Sequence, residues 1–483
     1  MPEEDVLKRD LNNLKNELDK RARQYRKLER YYDGNCPFPD AIRRAKVTKA
    51  YRMLLPMSDA SWASVVVDSS LDRLEVTGIS TGDRIVDRAA WELWQRNGMD
   101  AQAELAHQAA LMSGRCYATV WPENGEDPEI TLDTPEQMIV RYTDSTLRRR
   151  EVAMRCWKED DRLMATLYYP DGLYKFRQRT NAGRGSDDWE RREEPNEPWP
   201  VPNPFKIVPV VELGVNRRLQ PGPWGYARGD FEHALGLIDR VNLLTFLGLV
   251  VALWMGFPLR GVIGEAISYR VLKDDNGNPI IGDDGEPKKE AEQPFDAHAG
   301  GVFQLENPNA KIVEYSAADR ANLSIAAELD QFAAVTKTPR HYFPVGSGIA
   351  NIAEPTIRAF EGALIAKLYR HKKQLGAGWE EVLRLAGLMS TDGIKIPSSA
   401  TLMWSDHESR SLAERADAAS KVAALNFPAA FVAERFLNLT QSEIDRLEAQ
   451  IQGDMLSQIA RELGAGSQNG QAQPEPEQEP QAA

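Results

Sequence analysis

LLTFLGLVVALWMGF, residues 243–257, is a run of fifteen residues without a charge, and the organisation of the chain turns on what covers it. The helical pattern starts upstream, over Asp230 to Trp254, and becomes apolar all round after Asn242: Leu243, Leu244, Phe246, Leu247, Leu249, Val250, Val251 and Leu253. A helix without a polar face is buried on every side. Either it is the central core helix of its own chain, or copies of the chain bury it between them. As a helix the uncharged run reaches only about 22 Å before Pro258 and Arg260 close it, too short to span a bilayer comfortably.

Upstream, the prolines at 195, 198, 200, 202, 204 and 209 forbid helix and predict an extended connector with a boundary. Before them, residues 114–178 alternate with period two, as in Cys116, Ala118 and Val120 against Tyr117, Thr119 and Trp121, and again in Val152, Met154 and Cys156. Pro170-Asp171-Gly172 places a tight turn between Leu163–Tyr169 and Leu173–Phe176, so the segment reads as an antiparallel meander. The chain opens with Leu7, Leu11, Leu14, Leu18, Tyr25 and Leu28 at spacings of three and four. They predict a long amphipathic helix, broken in pattern only by Arg21 and stopped by Asp33-Gly34.

Downstream, turn signals at Asn276-Gly277 and Asp284-Gly285 predict a small β-rich insertion whose tip is acidic, with Asp274, Asp275, Asp283, Asp284 and Glu286. A helix over Asp319–Thr336 ends at Thr338-Pro339. Arg340–Glu354 has no period and reads as a mobile loop. Pro355 opens a second long helix through Leu364, Leu375 and Leu383, with Gly376 and Gly378 as candidate kinks. On it Lys367, Arg370, His371, Lys372 and Lys373 read by default as a solvated face. Capping boxes at Ser405/Glu408 and Thr440/Glu443 announce C-terminal helices, the last ended by Gly464-Gly466. The Gln-, Pro- and Glu-rich tail from Ser467 to Ala483 reads as disordered.

The chain of 483 residues is long enough for two or three cores, and its 42% hydrophobic content rules out disorder as a whole. Against 59 basic residues stand 72 acidic ones, and the net charge of -13 argues against a protein that grips phosphates tightly, although such a balance is ordinary for soluble proteins. Cys36, Cys116 and Cys156 offer neither a disulfide framework nor a CxxC site, and Met1 to Arg30 is charged throughout, unlike a secretory signal. No GxxxxGK[ST] phosphate loop occurs. His407-Glu408 lacks a second histidine four residues on, Gly346-Ser347-Gly348 lacks the spacing of a nucleophile elbow, and Asp160-Asp161 reads as a turn. No cofactor and no metal are expected.

The order of these elements resembles the portal family of tailed phages, in particular the branch of long-tailed siphophages of actinobacteria, over residues 1–465. Arg30-Tyr31-Tyr32-Asp33-Gly34, then Trp62, Val66, Val67, Asp68, Arg73, Leu74 and Gly78, carry the resemblance, with Val208-Pro209-Val210-Val211, Asp239 and Asn242, and Thr338-Pro339 after them. Ser61 departs from the asparagine of many relatives. The resemblance implies an α+β portal fold: an α/β wing, two stem helices, a small β-rich clip, a long wing helix and a helical C-terminal crown. In that frame the wing is 1–225, the stem helices 226–256 and 317–338, the clip 257–316, the tunnel loop 339–354, the long wing helix and return 355–404, the crown 405–465 and the tail 466–483.

Its implied function is a ring of twelve copies forming a non-enzymatic channel at the portal vertex of the virion, assembled in the host cytoplasm. Implied partners are the terminase large subunit, a head-tail adaptor protein, the major capsid and scaffolding proteins, and double-stranded DNA passing through without sequence preference; no membrane is expected. Candidate channel residues are Lys337, Arg340, Ser347 and Asn351. Candidate interface residues are Leu243, Phe246, Leu247, Val250 and Trp254, and candidate docking residues are Asp274, Asp275, Asp283 and Asp284. The rival readings are a metal-dependent nucleic-acid-processing enzyme of the phage head and a non-channel minor capsid protein.

Overall fold

The structure is a computed structural model. It describes residues 2–37, 49–122, 127–179, 188–195, 197–256, 259–263, 269–274, 277–282, 285–291, 309, 311–315, 322–343, 354–406, 412–437 and 439–468. In chain order the elements begin with helices α1 (Glu4–Tyr32), α2 (Lys49–Ser58) and α3 (Trp62–Leu71), strand β1 (Val76–Ser80), and helices α4 (Arg84–Arg96) and α5 (Met99–Ser113). Strands follow: β2 (Arg115–Pro122), β3 (Pro128–Asp133), β4 (Met138–Tyr142), β5 (Arg150–Glu159), β6 (Arg162–Tyr168), β7 (Gly172–Gln178), β8 (Trp189–Arg191), β9 (Val201–Pro202) and β10 (Val210–Gly214). Then come α6 (Leu235–Gly256), β11 (Leu259–Ile263), β12 (Tyr269–Val271), β13 (Lys289–Ala291), β14 (Lys311–Tyr315), α7 (Asn322–Thr336) and α8 (Glu354–Met389). The chain ends with β15 (Thr401–Trp404), α9 (Leu412–Ala423), α10 (Ala429–Leu437) and α11 (Gln441–Gln468). The α+β class holds. Two compact units form, one from Met1–Gly34, Ser61–Leu235 and Ala333–Ala483, the other from Asn35–Ala60 and Gly236–Phe332.

In the first unit α1 is the helix its leucine spacing predicts, and its apolar stripe is covered by its own chain. Leu7, Leu11, Leu14 and Leu18 pack on one face of an antiparallel sheet of order β4-β5-β6-β7-β8, against Ile139, Val152, Met154 and Phe176. Burying each such side chain stabilises by about 2 kcal/mol. Arg21, the break in the pattern, donates to the Tyr117 hydroxyl (2.9 Å) and the Trp224 carbonyl (2.9 Å), so it locks the helix to the strands instead of interrupting it. The Pro170-Asp171-Gly172 hairpin forms as expected, with Tyr169 N–H donating to the Gly172 carbonyl (3.0 Å).

Two expectations are corrected here. The proline-rich segment is extended, but it is no boundary: after it β10 returns to pair with β2, Leu213 opposite Cys116, in a three-stranded sheet β10-β2-β3. Nor does β2 alternate in burial. Arg115 through Val120 are all buried, because α5 and α8 pack on this sheet while Tyr117 joins Met138, Val140 and Val208 in a second core.

The long helix α8 runs unbroken through both candidate kink glycines. Only Gly378 serves a close approach: a Cβ there would stand 2.6 Å from the Leu213 side chain, whereas one at position 376 would meet nothing nearer than 3.6 Å. Beyond α8, β15 pairs with β1, Ile79 opposite Leu402, and α11 is tied to α4 by Trp91 Nε1 to Ser442 Oγ (3.0 Å) and Arg88 to Asp445 (3.2 Å). The C-terminal helices therefore join the first unit. The Thr440/Glu443 capping box is present, Thr440 N–H donating to Glu443 Oε2 at 2.8 Å. Ser405 instead ends the β15 ladder, its N–H donating to the Glu75 carbonyl (3.0 Å), and Glu408 lies outside the described residues. Gly464-Gly466 does not end α11, which continues to Gln468.

The second unit contains α2, the helix α6, most of α7 and the expected β-rich insertion. β11 pairs with β14 and β12 with β13, both antiparallel, and the turn glycines Gly277 (φ 84) and Gly285 (φ 80) adopt the left-handed conformation that turns of this kind favour.

Candidate functional site

Two helices and one loop carry the sequence's functional signals, and the structure shows how each is rooted. A single 3-10 turn, Glu232–Ala234, precedes α6, and the residue before that turn's N-cap, Asp230, is 3% exposed. A buried carboxylate costs several kcal/mol unless charges and donors surround it. Here Lys367 Nζ lies at 3.1 Å, His371 Nε2 at 3.2 Å, Asn216 Nδ2 at 2.8 Å and Ser70 Oγ at 3.4 Å. These partners outweigh burial and hold the Asp230 carboxyl far below the usual carboxylate range. Lys367 also donates to the carbonyl of Thr336, the last residue of α7 (3.3 Å). One buried charge cluster on α8 therefore fixes the approach to α6 and the end of α7.

This overturns the solvated-face reading of the cationic run on α8. Lys367, His371 and Lys372 are buried, and only Arg370 and Lys373 face solvent. Lys372 donates to the Ser405 carbonyl (2.6 Å), and burial lowers its pKa to about 8. The sequence signal was present in the spacing, since positions 367 and 371 share one helix face.

The segment after α7 is clamped. Lys337 adopts a left-handed conformation (φ 56) that ends the helix and leaves its side chain exposed. Arg340 to Tyr342 is a 3-10 turn, where loop was expected, and Arg340 Nη1 donates to the Phe343 carbonyl. Glu361 accepts from Arg73 Nη2 (2.8 Å) and the Tyr342 hydroxyl (2.9 Å), while Arg73 also reaches that hydroxyl (2.8 Å). The two donors outweigh desolvation and lower the Glu361 pKa; the same contacts raise that of Arg73. Phe343 is fully buried with its ring 6.1 Å from Trp62. Arg73 and Trp62 thus acquire a physical role beside Tyr342 and Phe343, whereas Asp68 accepts from the Tyr32 hydroxyl of α1 (2.8 Å). Ser347 and Asn351 lie outside the described residues.

The apolar helix α6 is not buried on every side, as its composition predicted. Ile238, Val241, Asn242 and Phe246 are buried, Leu243 and Val250 are half-buried, and Leu247 is 44% exposed. Phe246, four residues after Asn242, lies on the face that the chain itself covers. Trp254 belongs to the helix, but its side chain lies outside the described residues. Arg240 pairs with Glu328 of α7 (2.5 Å) and donates to Gln331 (3.0 Å). By length and composition alone Glu232–Leu253 would pass as a membrane span, with a mean hydropathy of 1.8, because the helical segment begins upstream of the uncharged run.

Of the acidic tip, Asp274 is exposed and organises its own turn, accepting from Asn278 N–H (2.8 Å); Asp275, Asp283 and Asp284 lie outside the described residues. Among the described residues no cluster of His, Cys, Asp and Glu could hold a metal ion.

Residues 11–455 match the family model described as phage portal protein, SPP1 Gp6-like. Over 412 residues the chain is 28% identical to the portal proteins of Mycobacterium phage L5 and Mycobacterium phage D29, covering 80% of this chain and 78% of each relative. Among solved structures, the neck of a native gene transfer agent particle computed with C12 symmetry matches 80% of this chain and 92% of its own, with 12% identity and a TM-score of 0.40.

Proposed function

The chain belongs to the SPP1 Gp6-like family of phage portal proteins, and from that premise we propose that it acts as one subunit of a closed ring at the portal vertex of the virion, through which DNA is packaged and ejected. The observation that carries this reading is the exposed apolar face of α6: Leu247 is 44% exposed and Leu243 and Val250 are only half covered. A head-to-tail ring buries one face of each subunit against a different face of the next, so such a helix is covered once per copy. Twelve copies is the number the family resemblance implies.

In this reading α6 and α7 are the stem helices and the β-rich insertion between them is the clip, docking the terminase large subunit during packaging and a head-tail adaptor afterwards through its acidic tip. The first unit supplies the wing, which meets the major capsid and scaffolding proteins, and its last helices the crown. Residues 339–354 are the tunnel loop, whose start at Tyr342 is held by the Glu361 cluster. DNA passage needs weak, sequence-independent contacts, since tight phosphate binding would stall movement. Lys337 is the cation placed for such a contact, whereas Arg340 is engaged with the loop's own backbone. The role is structural, without catalysis.

The test is the mass of the purified chain in solution beside that of Leu247→Asp. An exposed residue tolerates the change within the subunit, so the variant stays folded while assembly drops to single subunits. Rings in both proteins would remove this face from the interface. A wild-type chain that stays monomeric at high concentration would refute the ring.

A further inference from the structure

A cleft of about 650 Å³ in the first unit is lined by Arg148, Arg149, Arg150 and Lys206, by Glu151 and Glu381, and by Tyr169, Pro170 and Ile207 as apolar wall. In a chain of net charge -13 such a concentration of cations is against the trend. Its carboxylates are already engaged: Glu381 by Arg150 (2.9 Å) and Arg384 (2.9 Å), Glu151 by Arg141 (2.9 Å). Arg148, Arg149 and Lys206 are exposed and make no ion pair among the described residues, although both arginines help to lower the pKa of the Asp144 carboxyl, after its hydrogen bonds from Thr146.

Both rims are built rather than loose. On one side Asp144 Oδ1 accepts from Thr146 N–H (2.8 Å), Thr143 N–H donates to the Arg149 carbonyl (2.9 Å), and Leu147 is held at φ 57. On the other, buried Asn203 donates to the carbonyls of Tyr169 (3.2 Å) and Ile207 (2.8 Å), and Lys206 is held at φ 56. A left-handed conformation at a residue other than glycine is uncommon and strained, and it persists where the surroundings enforce it. Two such residues, one on each rim, fix the backbone that carries the three cations, which reduces the part of the ordering cost that falls on the main chain.

We propose that this cleft is a docking site for an extended acidic peptide segment of a protein partner, its carboxylates meeting Arg148, Arg149 and Lys206 and an apolar side chain resting on Pro170 and Ile207. Peptide is favoured over nucleic acid by two features. The volume is that of a small-ligand or peptide site and excludes a duplex. The wall is apolar and suits a hydrophobic side chain.

The experiment is fluorescence anisotropy on the full-length chain with a short fluorescein-labelled peptide rich in glutamate and containing leucine, beside a version with lysine for glutamate and a short DNA duplex as competitor. The acidic peptide is expected to bind saturably, and Arg148→Glu/Arg149→Glu to weaken it by roughly tenfold or more. The lysine version should not bind. Lys20→Glu/Arg23→Glu, an equal charge change on exposed positions of α1, should leave affinity unaltered. The proposal is overturned if the acidic peptide does not bind, if both double variants weaken it equally, or if the duplex displaces it at equal charge concentration. None of these readouts depends on ring formation.

Discussion

Replacing Asp230 by alanine should unfasten the start of α6 and the end of α7. In the wild type its carboxylate, 3% exposed, balances Lys367 Nζ at 3.1 Å and faces His371 Nε2 at 3.2 Å, and both of these side chains are themselves buried. Removing one partner of a buried pair strands the other charge, which costs about 3–5 kcal/mol, against a net worth of the intact pair near zero. In a unit of this size that lowers the melting temperature by about 5 °C. Calorimetry of Asp230→Ala gives the magnitude, and amide exchange at the start of α6 and the end of α7 gives the place. The triple change Asp230→Leu, Lys367→Met, His371→Leu should recover most of the loss, since it removes the stranded charge along with its partner. The folded pKa of Asp230 lies below its ordinary 3.8, so its stabilisation is complete above that pH and is lost as pH falls through the folded value. The gap between wild type and Asp230→Ala is therefore read at pH 7, where the Asp230 carboxylate is fully ionised in folded and unfolded chains alike. A loss below about 1 kcal/mol, or a triple variant as unstable as the single one, would refute the reasoning.

Burial pushes the pKa of His107, whose Nε2 accepts from Trp379 Nε1 (2.8 Å), down to about 4 from 6.5. The unfolded chain takes up that proton first, so stability falls by about 3 kcal/mol as pH drops from 6.5 to 4. His107→Gln, which keeps an acceptor, should flatten this slope in denaturant titrations. Glu361→Leu leaves Arg73 and the Tyr342 hydroxyl short of a partner at a cost of about 2 kcal/mol, and exchange of the Tyr342 and Phe343 amides should quicken by about tenfold while that of α1 stays unchanged. Gly114→Ala places a Cβ 2.4 Å from the Arg228 nitrogen at a residue with φ +92. A loss of about 3 kcal/mol in thermal or denaturant unfolding is expected.

What the sequence discloses follows the range of the interaction. The stripe of α1, the Pro170-Asp171-Gly172 hairpin, the turns at Gly277 and Gly285, and the Thr440/Glu443 cap are each decided within a few residues, and all are legible. The pairing of β1 with β15 joins strands of five and four residues from distant parts of the chain, too short for periodicity to register. The proline-rich segment reads as a boundary because composition shows that it is extended but not that β10 returns to β2. Lys367, His371 and Lys372 look like solvated charge because their partners, Asp230 and the Ser405 carbonyl, lie on other elements. Composition also demanded full burial of α6. The single chain supplies only part of it, and the remainder is the argument for a neighbour.

The most direct test of the ring is a cryo-electron microscopy map of the purified, assembled protein at a resolution that places side chains on α6. The account predicts a closed ring with an axial channel, Leu243, Leu247 and Val250 of each copy covered by the next, and the segment after Phe343 facing the axis. Particles without an axial hole, or a ring in which Leu247 remains open to solvent, would contradict it.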